Sequence, residues 1–581
     1  MNGSGSNFES ESFYGKALIY LAFHSTFRNF DLRSKLLSFG NIQMYLLFRS
    51  LIRNFANDMG KEKERKGRKP LLLSATLVMF VAVWLWAWLW YGDVFRIARE
   101  NSFWSPDTVL MQYMEGRPWG ALWWCGLALL QLFRWPVLGG VVLALMLSLS
   151  TWMVGYCLRL RGWWRVLEYL PAMAYLSWVA YQGMDLFFET ETGCIMGIPM
   201  LATMVLIVMS VIIRSFSHSH HFPPIFLPPH DETPRNNHIQ WVMAVLCIIV
   251  PMAITQWMRP EVRVVTHMQC QMMERDWRGM AETARKHAEL SYRHITAYYA
   301  IALVHSNEQG SRLFDIRLDY DEPFMHGYNG STANAANYYL MDCDLAAGLV
   351  EPAMHHAMEH LTMCGPTLRT LKLLIKCALL RNEWQLAEKY LCILSRVPFE
   401  SSFVEKYSAM LHNPEAVNAD SEFATTRLTE PIHDSFENFY TKPVFLGYNA
   451  ALTEGRSTNA LMNSLVVHIY TKSMPHFLAR CEPIAGTTPP QSVAEALTLM
   501  SAKYPQVAKM FPSLQYNQPR VVSFLNDVRP FIKDFDTRQK HARELFPRWK
   551  GYYPYYYFFG NLKSTRGHIK ENEGSSNQGV N

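Results

Sequence analysis

The chain has 581 residues and a formal net charge of +6; it is 50% hydrophobic and 18% charged, with a mean hydropathy of −0.04. That average conceals two unlike halves: residues 70–258 hold apolar runs of membrane-spanning length, whereas 259–581 have ordinary globular polarity and suffice for one large or two small cores. The positive charge is gathered into short clusters such as KEKERKGRK at 61–69, which abuts an apolar run and has no further basic patch behind it, arguing against a nucleic-acid partner.

Residues 1–58 lack the order of a cleavable signal peptide, and Arg28, Arg33, Arg49 and Arg53 break their apolar stretches. They read as an upstream extension, with Met59 opening MGKEKERKGRKP, or as a cytoplasmic amphipathic lead. Basic residues beside a first span are retained inside, so the lead 1–69 is expected in the cytoplasm. Spans are expected at 70–92, 136–157, 166–182, 193–213 and 239–258, with a sixth segment, 119–133, of about half length. The transmembrane domain 70–258 therefore has five or six helices. Loop charge favours five: Arg159, Arg161 and Arg165 then fall inside, the acidic connector with Asp185, Glu189 and Glu191 falls outside, and 118–133 is re-entrant or interfacial. Trp84, Trp86, Trp88 and Trp90 are spaced by two, which suits an aromatic belt rather than one helical face.

The outer loop 93–117 holds RENSFW at 99–104, and its acids Glu100, Asp107 and Glu115 are expected as solvated charges balanced by Arg96, Arg99 and Arg117 on an interfacial helix. The connector 214–238 contains His218, His220, His221, His230 and His238, but it is proline-rich and has no carboxylate or cysteine at ligand spacing, so no metal site is expected. The ten cysteines form no CxxC pair and are expected as small buried hydrophobes, with disulfides open if the second half is extracytoplasmic.

After residue 259 apolar residues recur at three and four positions, which predicts helix pairs. AAGLVEPAMHHAMEHL aligns with LLRNEWQLAEKYLCIL at an offset of 34 residues, pairing Gly348 with Asn382 and Ala353 with Ala387, and RDWRGMAETA at 275–284 is a weaker copy. An offset of about 34 is the tetratricopeptide period. Residues 259–430 are thus expected as TPR-like repeats, interrupted at 305–330, followed by a helical region 431–560 and a disordered tail 561–581. His356, Glu359 and His360 match the H-x-x-E-H pattern, yet they lie within a repeat helix whose packing face is already set by Ala353 and Ala357, and no third ligand is identifiable. The segment FPRWKGYYPYYYFFG at 546–560 cannot be a regular amphipathic helix; it reads either as a membrane-interface segment or as a capping strand.

The fold class is all-α: a polytopic transmembrane N-terminal half followed by a TPR-like α-solenoid. Through RENSFW, Asp107, LLQLFRWPVLGG at 129–140, the repeats around Ala353 and Ala387 and the aromatic tail, the chain resembles a Bacteroidota inner-membrane family defined as a domain of unknown function. The likeness implies architecture and no activity. The layout also resembles GT-C type glycosyltransferases, whose first outer loop bears an essential acid; that resemblance makes Glu100 or Asp107 the catalytic candidate, with a divalent metal and a lipid-linked glycan as donor. The expected function is an inner-membrane protein presenting a periplasmic repeat domain to a protein or peptide, bound at Asn334, Asn337, Tyr338, Trp384 and Tyr390; a lipid-linked sugar transferase is the alternative. No cofactor is expected under the first reading. No phosphate-binding glycine loop or catalytic triad is present, and the spans hold few ionisable residues beyond Glu168, which disfavours a transporter.

Overall fold

The computed structural model describes residues 70–158, 160, 162–188, 192–217, 237–290, 292–318, 331–430, 457–531 and 535–560. The basic lead, the tract with His218, His220, His221 and His230, and the tail 561–581 lie outside them. Among the described residues every extended element is a helix and no strand occurs, so the chain is all-α.

The first apolar helix, α1 (Pro70–Leu85), runs into a π-helical turn at Trp86–Trp90, closed by the Tyr91 N–H donating to the Trp86 carbonyl at 2.8 Å. The chain then bends by 65° into α2 (Gly92–Glu100). Gly92 permits the bend: a Cβ there would lie 3.1 Å from Pro136 and 3.3 Å from the Ala87 carbonyl. The tryptophans divide between faces. Trp86 is buried and stacks on Tyr91 with centroids 4.8 Å apart, while Trp84 stacks on Trp88. A short helix α3 (Thr108–Glu115) leads to α4 (Gly120–Leu130), whose 11 residues extend only about 16 Å.

Among the described residues three helices are long and apolar enough to cross a membrane: α5 (Pro136–Leu158), Cys194–Ile213 within α7 (Cys194–Ser217), and Ile239–Met258 within α8 (Asn237–Met258). The bent pair formed by α1 with its π turn and α2 makes a fourth if it is one span. The expected span at 166–182 differs: Gly162–Glu168 winds as a 3₁₀ helix, and α6 (Leu170–Gln182) has 13 residues before Gly183 ends it at φ 56°. Leu145, Trp152, Met204, Val208, Ile249 and Trp257 point outward, exposed. Inside, α4 meets α7 at backbone contact, since a Cβ on Gly126 would fall 2.0 Å from the Gly193 carbonyl oxygen.

Helical hairpins follow. They comprise α9 (Pro260–Met273) with α10 (Trp277–Lys286), α11 (Arg293–Ser306) with a helical turn at Gln309–Arg312, α12 (Ser331–Ala346) with α13 (Val350–Cys364), and α14 (Leu368–Leu380) with α15 (Trp384–Leu394). Then come α16 (Ser401–Ser408), α17 (Pro414–Ala419), α18 (Ser421–Thr429) and a further hairpin, α19 (Thr458–Tyr470) with α20 (Met474–Arg480). One turn recurs in these hairpins. Arg275, Asn307, Gly348, Asn382 and Lys472 have φ between 56° and 83°, and in each case the next N–H donates to the carbonyl five residues back at 2.8–2.9 Å. This is the Schellman closure, which satisfies the last carbonyls of the first helix before the second begins. Gly348 and Asn382, paired in the sequence alignment, thus occupy the same backbone state.

The chain continues through α21 (Gln491–Ser501), α22 (Pro505–Met510), α23 (Gln518–Val528), α24 (Phe535–Trp549) and α25 (Tyr553–Phe559). One continuous apolar core runs from Met79 in α1 through α9–α12 to Phe559 in α25, and a second, centred on α14, joins α12 to α18. The aromatic tail corrects the expectation of a capping strand. Pro554 sits in the first turn of α25, where its missing N–H costs nothing, and Tyr553, Tyr556 and Phe559 are buried; the Tyr553 hydroxyl donates to the Ile469 carbonyl at 3.1 Å. α25 is a helical cap over α19 and α21.

Candidate functional site

The stretch RENS at 99–102 leaves the end of α2 and meets the repeats. Arg99 is fully buried and donates to Glu100 at 2.7 Å, to Glu400 at 2.5 Å, and through Nε to Gln131 at 3.2 Å. Lys372, from α14, closes the ring by reaching Glu100 at 2.8 Å and Glu400 at 3.1 Å. Two cations and two carboxylates therefore form a closed quartet, and its most exposed member, Lys372, has only 14% of its side chain accessible. Beside it the Leu368 N–H donates to the Ser102 carbonyl at 3.0 Å, so the first turn of α14 is fixed to the end of α2 by backbone as well. Glu100 is expected as an exposed outer-loop acid; it is instead 4% exposed, enclosed by the adjacent Arg99 and by Lys372, 272 positions along the chain. Asp107 is half-buried and paired with Arg396. Glu100 and Asp107 thus both face cations of the repeat region rather than one shared cavity.

Next to the quartet a cavity of about 230 Å³ opens between α2, α9, α11, α12, α14 and α18. Arg369, Lys372 and Lys376 stand at i, i+3 and i+7 on α14 and so project from one face into it. Arg369 pairs with Asp342 and donates to the Tyr298 hydroxyl at 3.1 Å; Lys376 reaches Glu422 at 2.7 Å. Glu422 is the most heavily bonded carboxylate here, receiving Lys376, Lys406, Arg275 and the Tyr407 hydroxyl. Burial pushes its pKa up, but Lys376, Tyr407 and Lys406 outweigh burial and hold it well below the usual carboxylate range. His305 also lines the cavity and stacks on Trp277 with the rings parallel and 3.8 Å apart. Burial, reinforced by Arg275, lowers its pKa to about 4, so its ring is neutral at physiological pH.

The expected partner-contacting residues divide. Tyr390 is buried, its hydroxyl 3.3 Å from the Met358 sulfur, and Trp384 is half-buried with its ring against His412. The side chains of Asn334, Asn337 and Tyr338, on α12, lie outside the described residues. Within the H-x-x-E-H match, His356 Nδ1 bonds Asp344 at 2.8 Å and His360 Nδ1 meets the Thr370 hydroxyl at 3.1 Å, so both rings tie α13 to its neighbours. Among the described residues no group of three or more His, Cys, Asp or Glu side chains is placed to hold a metal ion. All ten cysteines are free thiols. Sequence reasoning missed Lys372, Glu400 and the α14 basic stripe; the i, i+3, i+7 spacing of Arg369, Lys372 and Lys376 is the signal that could have found the stripe.

The family of unknown function DUF6057 matches residues 184–560, well over half of the chain, and the chain belongs to it. RENSFW and residues 129–140, which carried part of the sequence resemblance, lie upstream of the matched segment. No curated protein and no solved structure matches the chain.

Proposed function

We propose that this DUF6057 member is a multi-pass bacterial inner-membrane protein that presents a TPR-like helical array, on the periplasmic side, to a protein or peptide partner. The observation that carries the reading is the recurrent hairpin closure at Arg275, Asn307, Gly348, Asn382 and Lys472. Repeating one closure stacks helix pairs side by side, and stacked pairs offer an extended face for a partner chain. The outward apolar side chains of α5, α7 and α8 support the membrane part, because a soluble protein buries most of its large apolar side chains. The sugar-transferase alternative has no comparable support: Glu100 is enclosed by Arg99 and Lys372, and Asp107 is engaged by Arg396.

Two native thiols make the test direct. Cys364 and Cys392 are exposed at the ends of α13 and α15. A membrane-impermeant maleimide added to intact spheroplasts should label both, and labelling only after lysis would overturn the periplasmic placement. A photocrosslinker at the exposed Glu388 or Lys389 should capture a discrete partner, whereas one at the exposed Tyr516, outside the array, should not. Equal capture from Tyr516, or none from Glu388 and Lys389, would refute the array as the binding surface.

A further inference from the structure

The cavity beside the quartet carries an electrostatic imbalance. Arg275, Arg369, Lys372 and Lys376 line it, with Arg99 and Lys406 in the layer behind; facing them are Glu100, Asp342 and Glu422, with Glu400 and Asp420 behind. Among the described residues that line the cavity four cations therefore meet three carboxylates; Arg134 also acts on Glu100 from outside the lining, and the Arg96–Glu274 pair next to Met273 is balanced within itself. Neutral His305 adds no charge to either side. The lining thus carries an excess of positive charge in a partly desolvated space, where an ion interacts several times more strongly than in water. An apolar stretch of the wall is formed by Ile97, Met272, Met273, Ile301, Leu345 and Phe423, with Gln269, Ser421, Thr425 and Thr426 among the other lining residues. Two methionines side by side adapt to varied apolar shapes.

We propose that this cavity binds a small monoanionic amphiphile, a single carboxylate or phosphate on a short apolar body. The anion would sit at Arg275 and Lys376, whose shared carboxylate Glu422 already receives Lys406 and Tyr407 and so leaves them with donor capacity to spare. The apolar body would lie on Met272, Met273, Ile301 and Leu345. Ile97 and Glu100 bring the end of α2 to the rim, so the site sits where the first apolar helix pair meets the repeats. The ligand could be drawn from the membrane or from solution. This site goes beyond the partner-binding reading and does not depend on it.

The test is calorimetry on the full chain in uncharged maltoside micelles, with octanoate, octanol and inorganic phosphate as probes. Octanoate should bind saturably, while octanol and phosphate bind at least tenfold more weakly or not at all. Arg275→Gln with Lys376→Gln should weaken octanoate by roughly tenfold or more, since charge-assisted bonds to the anion are lost. Lys372 is left intact because it holds the quartet. Thr425→Trp, which fills the cavity from α18 without altering charge, should block octanoate while the melting temperature stays within a few degrees of the parent. Exhaustive delipidation distinguishes the sources: binding that appears only afterwards identifies a membrane amphiphile, and equal binding before and after identifies a soluble one. Octanol or phosphate binding as tightly as octanoate, wild-type affinity in the double variant or in Thr425→Trp, or no octanoate binding in either preparation overturns the proposal.

Discussion

Glu100→Gln removes one carboxylate from a quartet that holds two and keeps the side chain's size. Arg99 and Lys372 are then left facing Glu400 alone, in a space where Arg99 is fully buried and Glu400 has 2% of its side chain accessible. Deleting one partner of a buried ion pair leaves an uncompensated charge and costs about 3–5 kcal/mol. Unfolding entropy of about 2.1 cal/mol/K per residue, over a cooperative unit of roughly 500 residues, gives about 1 kcal/mol per degree, so Tm should fall by about 3–5 °C. Because Glu100 joins α2 to α14, the chain should also become protease-sensitive around 101–107 before global melting. Adding Lys372→Met restores one cation to one carboxylate. The double variant should therefore be about 1–3 kcal/mol more stable than the sum of the single changes. Thermal melts of the four proteins in one detergent, with limited proteolysis alongside, supply the cycle. Additivity within about 0.5 kcal/mol, or an unchanged Tm in Glu100→Gln, would refute the clamp.

Gly348→Ala meets both strain and crowding, at φ 83° and with its Cβ 2.4 Å from the Glu430 nitrogen. It should cost about 2–4 kcal/mol in denaturant unfolding, and a loss below about 1 kcal/mol would contradict the packing at Gly348. Gly126→Ala would drive a Cβ to 2.0 Å from the Gly193 carbonyl and should separate α4 from α7, measurable as a loss of about 1–3 kcal/mol and altered crosslinking between cysteines placed on the two helices. Burial lowers both His305 and His360 to a pKa of about 4, so the folded state binds fewer protons than the unfolded chain, whose histidines titrate near about 6.5. Stability from these rings is present above about pH 6.5 and lost as pH falls toward 4; His305→Gln with His360→Gln should flatten the Tm-versus-pH curve across that window, and an unchanged slope would be incompatible with buried neutral rings.

The local half of the fold was legible, and the long-range half was not. The 34-residue offset aligned Gly348 with Asn382, and both sit in left-handed turns; Arg275, which opens the weaker copy RDWRGMAETA, sits in a third. The turns at Asn307 and Lys472 escaped notice because the left-handed position accepts Arg, Asn, Gly and Lys in this chain, so no residue type marks it. Hydropathy located α5, α7 and α8, whereas the shortening of α6 depends on a 3₁₀ stretch that periodicity cannot separate from an α-helix. The aromatic tail looked unsuited to a helix because its residue types are uniform; α25 exists because α19 and α21 cover Tyr553 and Tyr556. For RENS the charges were visible, but their meaning lies with Lys372 and Glu400, some 272 to 301 positions along the chain.

A buried quartet is an expensive way to join two parts of a chain if holding them together is its only task, since apolar residues of the same volume would serve as well or better. What the quartet adds is geometry. Arg99 donates from its two terminal nitrogens to different carboxylates, and Lys372 must reach both of those carboxylates, so a shift of α14 by one residue along its axis would break bonds to Glu100 and Glu400 together. Lys372 also lines the neighbouring cavity, one turn from Arg369 and Lys376. An anion at Arg275 and Lys376 would lie about one helical turn from Lys372, whose charge Glu100 partly offsets, so occupancy of the cavity and the seating of α2 against α14 are coupled through Lys372. Ligand affinity should therefore rise in Glu100→Gln, where Lys372 has lost one of its two carboxylates; lower affinity in that variant would show that the clamp and the cavity are energetically separate.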